Sequence, residues 1–227
     1  MQAQGNDFVI LDGLQDVLPS LNEALIRRIC HRQQGIGCDQ LLVLQKHNQA
    51  DALMLIYNAD GTQAKNCGNG LRCVAQLLMK KVGKDSLSIA LADRTVYAER
   101  TSKGIRVNMG QGVISQECSA HTDVNIGNLH RVYFEAGEID SSLNTEFISA
   151  IDDNHVHIRI VERGSGETLA CGSGACAVAI AVWNKFGTEQ PLEIHMPGGV
   201  VTVSQHNQDV FLEGSVSVVF QGDFFDI

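Results

Sequence analysis

Two segments of this 227-residue chain put a thiol at the mouth of a helix. Asn66-Cys67-Gly68-Asn69-Gly70-Leu71-Arg72-Cys73 and Ala170-Cys171-Gly172-Ser173-Gly174-Ala175-Cys176-Ala177 both run Cys-Gly-x-Gly into a stretch that reads as helix. The glycines let the backbone turn tightly and let a ligand approach the amides, while the free N–H groups and the helix dipole favour an anion. The same field favours thiolate over thiol, so a cysteine that ordinarily titrates near ~8.5 is expected to fall to roughly 3.5–7.5 and become a competent base near neutral pH. Two such sulfurs facing one carbon make an acid/base pair. One removes a proton, the other delivers one to the opposite face, and configuration inverts. One sulfur must be charged while the other is neutral, so the pair titrates as a coupled unit. Helix-end amides holding the neighbouring carboxylate would stabilise the charge that spreads onto it.

Other uses of these residues fit less well. A nucleotide-phosphate loop wants Gly-x-Gly-x-x-Gly or a terminal Lys-Ser/Thr, and the third glycine position is Cys73 in one segment and Ala177 in the other. A covalent cysteine nucleophile needs a histidine activator and leaves the second thiol unexplained. None of the seven cysteines is arranged as Cys-x-x-Cys, and the gaps Cys67 to Cys73 and Cys171 to Cys176 do not set two ligands on one helix face, so no metal is expected. Capping or filling alone gives no reason for the duplicated glycines. Cys73, Cys176, Cys30 and Cys118 read as core.

The elements that must position the two thiols are themselves duplicated. At the offset of 104 residues that relates Cys67 to Cys171 also fall Asn58 and Glu162, Lys81 and Lys185, Gly83 and Gly187, and Gly110 and Gly214. In the first half, apolar runs predict strands at 7–12, 41–45, 53–57, 87–89, 94–98 and 105–109, with helices over 22–30 and 71–81. In the second, strands fall near 132–134, 157–161, 192–196, 200–204 and 209–213, with a helix over 174–186. Residues 111–126 read as the connection. The expectation is one α+β unit used twice, over residues 1–112 with Cys67 and residues 113–227 with Cys171.

Chain-wide properties bound the function. Hydrophobic residues make up 44% of the chain, enough for either half to bury a core. A net charge of −9 argues against nucleic acid, for which clustered Lys and Arg are needed. Phe8-Val9-Ile10-Leu11, flanked by Asp7 and Asp12, is too short for a signal peptide or a membrane span, and a cytoplasmic protein is the default expectation.

Longer motifs surround the thiols. Gly5-Asn6-Asp7-Phe8, Gly35-Ile36-Gly37-x-Asp39-Gln40, Asn58-Ala59-Asp60-Gly61, Cys67-Gly68-Asn69-Gly70-x-Arg72-Cys73 and the run from Glu162-Arg163-Gly164 to Ala175-Cys176-Ala177 together resemble the diaminopimelate epimerase family. The resemblance covers most of the chain. It implies two pseudo-symmetric domains, each a mixed sheet around a central helix with the active site in the cleft between them, and a cofactor-independent epimerase of lysine and peptidoglycan precursor synthesis, acting as a homodimer on a small amino acid. By carry-over Cys67 and Cys171 are the acid/base pair, Gly68 and Asn69 with Gly172 and Ser173 bind the reacting carboxylate, and His130 tunes the thiols. Asn6, Gln40, Asn58, Asn128, Asn144, Glu162 and Arg163 match positions that contact the ammonium and carboxylate groups. An Arg fork suits a distal carboxylate, and amide or carboxylate oxygens suit ammonium groups. The family's Gly-Asn-Pro-His stretch is written here Gly127-Asn128-Leu129-His130-Arg131, and residues 111–126 and 131–143 are shorter than their family counterparts. A racemase of another amino acid, or a homologue that binds an amino acid without turning it over, are the alternative readings.

Overall fold

The computed structural model describes residues 1–15 and 17–224; residue 16 and residues 225–227, which fall within the two expected halves, lie outside the described residues. The first half runs β1 (Gln2–Ala3), β2 (Asn6–Asp12), α1 (Glu23–Cys30), β3 (Gln40–Gln45), β4 (Ala52–Asn58), β5 (Gln63–Ala64), α2 (Gly68–Val82), β6 (Ser86–Ala90), β7 (Thr95–Thr101) and β8 (Gly104–Gln111). The second runs β9 (Val113–Glu117), β10 (His121–Asn125), β11 (Leu129–Tyr133), β12 (Asn144–Asp152), β13 (His155–Glu162), β14 (Gly166–Glu167), α3 (Gly172–Phe186), β15 (Leu192–Met196), β16 (Gly199–His206) and β17 (Asp209–Gly214).

The duplication in the sequence reappears as strand pairing. β2 lies parallel to β3, β3 antiparallel to β4 and β4 parallel to β6, after which β6, β7 and β8 are antiparallel neighbours. β11, β12, β13, β15, β16 and β17 repeat that series in the same order and with the same directions. A parallel pair needs a crossover, and α2 and α3 supply it for β4–β6 and β13–β15. The two ladders join through equivalent strands, β8 and β17, antiparallel from Ile105 opposite Gly214 to Gln111 opposite Asp209.

Each crossover helix is enclosed by its own half. α2 buries Leu71, Cys73, Val74, Ala75, Leu78 and Met79, and α3 buries Ala175, Cys176, Ala177, Val178, Ala179, Ala181, Val182 and Trp183. Small side chains on α3 let strands approach from several sides. Both helices stop at a left-handed glycine, Gly83 at φ 68° and Gly187 at φ 61°, with Lys80, Lys81 and Lys185 complementing the carbonyl end. The two helices and the strands around them share one apolar core. The architecture is α+β: two pseudo-symmetric units, each a mixed sheet wrapped around a central helix.

The structure departs from the sequence expectation in three places. Residues 111–126 are not a simple connection but carry the β9–β10 hairpin, whose exposed polar residues hide its alternation. Cys118, expected in the core, is exposed near the turn of that hairpin. β12 is not announced by its sequence either, because a core position in it is filled by Glu146. α1, capped by Asn22 Oδ1 accepting from the Leu25 amide at 2.9 Å, has no helical counterpart between β11 and β12.

Candidate active site

Both thiols cap helices. The Cys67 Sγ accepts from the Gly70 amide at 3.3 Å, and the Cys171 Sγ accepts from the Gly174 amide at 3.4 Å. The first intrahelical bonds follow, Leu71 N–H to Cys67 O at 2.8 Å and Ala175 N–H to Cys171 O at 2.9 Å. Sulfur is a weak acceptor, and Ser, Asp or Asn would cap better, so the thiols are not there for helix stability. The Gly68 and Asn69 amides, like those of Gly172 and Ser173, precede the first intrahelical bond and are left to a ligand.

The two helix mouths abut. A methyl group on Gly172 would lie 2.9 Å from Asn69 Oδ1 and 3.3 Å from the Asn69 nitrogen. Leu212 of β17 backs both loops, its Cδ2 lying 2.9 Å from a Cβ built on Gly68 and 2.8 Å from one built on Gly172. A side chain at Gly172 would press on Asn69 of the other loop, and one at Gly68 on Leu212 and Met109, so the duplicated loops meet in one place.

On the first-half side, the expected residues are linked by hydrogen bonds. Asn69 Nδ2 donates to Asn6 Oδ1 at 3.2 Å, and Asn6 Nδ2 donates to Asp39 at 2.8 Å. Arg32 bridges Asp7 and Asp39 and fixes that carboxylate. Gln40 Nε2 donates to Asn58 Oδ1 at 2.9 Å, joining the facing ends of β3 and β4. Arg72, fully buried, donates to Asn69 Oδ1 at 2.6 Å, Gln4 Oε1 at 2.7 Å and the Ser215 carbonyl at 3.2 Å.

The second-half side is built differently. His130 and Glu146 are fully buried, and His130 Nδ1 lies 2.7 Å from Glu146 Oε1. His130 Nε2 lies 3.0 Å from the Ser173 hydroxyl, so the ring bridges Glu146 and Ser173. Ser173 Oγ is in turn 3.5 Å from Cys171 Sγ. A continuous chain therefore runs from the Cys171 thiol to a buried carboxylate. Glu162 accepts from Thr168 Oγ1 at 2.7 Å, and Asn144 Oδ1 accepts from the Arg163 amide at 3.0 Å. Asn128 and the Arg163 side chain are exposed. Arg131, the cation in the altered stretch, points away from His130 and forms a bidentate pair with Asp123 at 2.8 Å on the neighbouring strand.

The thiol expectation needs correction. Burial pushes Cys67 up to about 12, and it pushes Cys171 well above its ordinary range, with the charges of Glu162 and Glu146 adding to the shift. The Gly70 and Gly174 amides pull each thiol down, but desolvation outweighs them. Cys67 keeps some exposed surface, yet enough protein surrounds it for burial to dominate. The Glu162 charge raises both thiols; Glu146 adds to it at Cys171, and Arg72 offsets part of it at Cys67. Burial also raises Glu162, against hydrogen bonds from Thr168 and Cys171.

Glu146 and Arg72 are absent from the expected site. Glu146 is legible by the internal offset, because its counterpart 104 residues earlier is Leu42. A carboxylate standing where the repeat has leucine is a signal. His130, Glu146 and Cys171 also bring donor atoms within 4.8 Å of one another, although here those donors are spent on each other and on Ser173.

Among solved structures, the fold is similar to that of a predicted epimerase from Pseudomonas aeruginosa, with a TM-score of 0.73, 14% identity, and coverage of 96% of this chain and 94% of that one. It also resembles a hydroxyproline epimerase from Agrobacterium vitis, at a TM-score of 0.70, 12% identity, and 94% and 87% coverage. At these identities the likeness is one of fold. In sequence, the diaminopimelate epimerase of Xanthomonas oryzae pv. oryzae is 31% identical over 271 residues, covering 99% of this chain and 94% of its own. That of Clostridium perfringens is 30% identical, with 99% and 97% coverage. The alignments exceed the 227 residues here, so these relatives carry segments this chain lacks. The family model for diaminopimelate epimerase matches residues 1–115 and 117–219. With two cysteine-capped helix ends meeting at one place and that match along nearly its whole length, the chain belongs to the diaminopimelate epimerase family.

Proposed function

We propose that this enzyme interconverts LL- and meso-2,6-diaminopimelate by moving the α-proton between Cys67 and Cys171. The observation that carries the reading is the abutment of the two helix mouths, with Gly172 against Asn69. Residues 1–112 and 113–227 are then the two walls of the site, and the pairing changes between Gln111, opposite Asp209, and Val113, opposite Asn125.

The amides of Gly68, Asn69, Gly172 and Ser173 hold the α-carboxylate. The substrate's α-ammonium brings a positive charge between two thiols whose ionisation burial opposes, and so favours one thiolate. Glu162 opposes a thiolate at either sulfur, Glu146 adds to it at Cys171 and Arg72 offsets part of it at Cys67, so the charge falls on Cys67. Cys67 starts as thiolate and Cys171 as thiol. The Cys67 sulfur takes the α-proton, and the C–H electron pair spreads into the carboxylate, where the four amides stabilise it. The Cys171 S–H then protonates the opposite face, leaving a thiolate that accepts from the Gly174 amide, with Ser173 anchored to His130 beside it. Glu146 acts through His130 as a positioning residue. Asn6, Gln40, Asn58, Asn128, Asn144 and Glu162 offer oxygen acceptors for the ammonium groups, and exposed Arg163 offers a fork to the distal carboxylate. On this reading the enzyme serves lysine and peptidoglycan precursor synthesis in the cytoplasm, as a homodimer.

The test is a substrate panel. LL- and meso-diaminopimelate, proline, hydroxyproline and the common amino acids are each incubated with the enzyme and the stereoisomers resolved. Conversion of diaminopimelate alone is expected. Conversion of another amino acid without diaminopimelate would make this a related racemase, and binding without conversion of any would make it a non-catalytic homologue.

A further inference from the structure

A second cluster of donors lies on the outer face of the second-half sheet, away from the thiols. In the parallel β13–β15 pair, His155 is opposite Glu193 and His157 opposite His195. Val156, Ile158, Leu192 and Ile194 between them point into the core, so these four polar side chains share the solvent face. His155 Nδ1 is 3.0 Å from His195 Nε2 and 3.5 Å from Glu193 Oε2. The ring of His157 stacks on that of His195 with centroids 4.4 Å apart and planes 19° apart. Glu193 uses its other oxygen toward Lys103, 3.4 Å away, so Oε2 is free to serve the histidines.

Hydrogen bonding alone explains this arrangement poorly. Two neutral imidazoles share one N–H, and a third stacked on them brings like charge whenever any of them is protonated. Metal–nitrogen and metal–oxygen bonds of about 2.0–2.1 Å put the ligands of a tetrahedral ion about 3.3 Å apart, and the two separations measured here bracket that edge. Imidazole and carboxylate donors suit zinc, nickel, copper or cobalt rather than calcium or magnesium.

We propose that His155, His195 and Glu193 form a binding site for a borderline divalent transition-metal ion, with water in the remaining position and the His157 ring holding His195 in place. The ion ties β13 to β15 across the crossover that contains α3, closing residues 155–195 into a loop. Seven strand steps separate His155 from Glu162, about 23 Å at the usual rise per residue, so the ion takes no part in proton transfer. The spacing of cysteines, on which the expectation of no metal rested, does not bear on a site built from histidines of two strands.

The experiment uses the full chain after chelation, titrated with Co2+ and Zn2+ by calorimetry and absorption. One ion per chain is expected, with weak visible Co2+ bands, no sulfur-to-cobalt charge transfer, and a rise in the thermal midpoint. Loss of a directly bonded donor exceeds the 10–100-fold effect of an outer partner, so His155→Ala and His195→Ala should each weaken binding about 100-fold or more. His157→Phe, which keeps a stacked ring without a donor, should bind as before. Circular dichroism of each variant without metal checks its fold. Absence of saturable binding at millimolar metal, binding that survives His195→Ala, loss of binding in His157→Phe, or binding that disappears with Cys171→Ala and so belongs to the His130, Glu146 and Cys171 group, would each overturn the proposal.

Discussion

The halves repeat each other in strand order and in the place of the central helix, and they differ where they meet the thiols. Behind Gly70 stands Leu42, whose Cδ1 is 3.0 Å from where a Cβ would sit, and behind Gly174 stands Glu146, whose Oε1 is 2.3 Å from the equivalent point. In the register of the parallel pairs, Phe8 of β2 corresponds to His130 of β11, since they lie opposite Gln40 and Asn144. Arg72 on α2 corresponds to Cys176 on α3. One thiol therefore sits on an apolar wall next to a buried cation, and the other on a buried imidazole and carboxylate. Duplication supplies two sulfurs on opposite sides of a substrate; divergence makes one a better base and the other a better acid.

The harshest way to break the comparison is to remove either sulfur. Positioned proton transfer contributes about 10²–10⁴-fold per group, so Cys67→Ala and Cys171→Ala should each lower kcat by at least about 10⁴-fold, with substrate binding retained in calorimetry. Rewriting the second half as the first is milder. Glu146→Leu should lower kcat about 100-fold with little change in KM, because it acts through His130 and Ser173 on one proton transfer. An unchanged kcat would reduce the buried pair to packing.

The glycines sharpen the contrast in stability. Gly174→Ala drives a methyl into a carboxylate held by His130 and should cost about 2–3 kcal/mol in chemical denaturation, whereas Gly70→Ala meets the flexible end of Leu42 and should cost under about 1 kcal/mol. Equal costs would show that both walls yield alike. Stability also depends on pH. Cys67, and the buried Cys73 and Cys176, are raised from 9.0 to about 12, so each is protonated when folded at pH values where the unfolded thiol is ionised. The folded state then binds more protons, and stability is complete below about 9 and falls as pH rises toward about 12, by at most about 1.4 kcal/mol per thiol per unit. Urea midpoints across that range should show the slope, and Cys67→Ala should flatten it by one thiol's share.

Much of this is legible in the sequence. The 104-residue offset gave the repeated unit, and Cys-Gly-x-Gly placed both thiols at helix mouths, because capping and glycine geometry are local. What the sequence reading lost is non-local. Whether Cys67 is an easy or a hard thiol to ionise depends on the desolvation imposed by the folded chain, and the pull of the helix-end amide is too small to offset it. Glu146 disguises its own strand, and only the 104-residue offset to Leu42 marks it as a site residue. Arg131, suspect in the sequence as a bulky cation near the site, is taken up by Asp123 on the adjacent strand.

The central claim is that two different sulfurs serve the two faces of one α-carbon, and initial-rate epimerisation of a single diaminopimelate isomer in heavy water tests it most directly. With one thiol removing the substrate proton and the other supplying a solvent-equilibrated one, deuterium should appear at the α-carbon of the product epimer while recovered substrate stays unlabelled. Deuterium entering substrate and product at equal rates would mean that one base serves both faces, and would contradict the account.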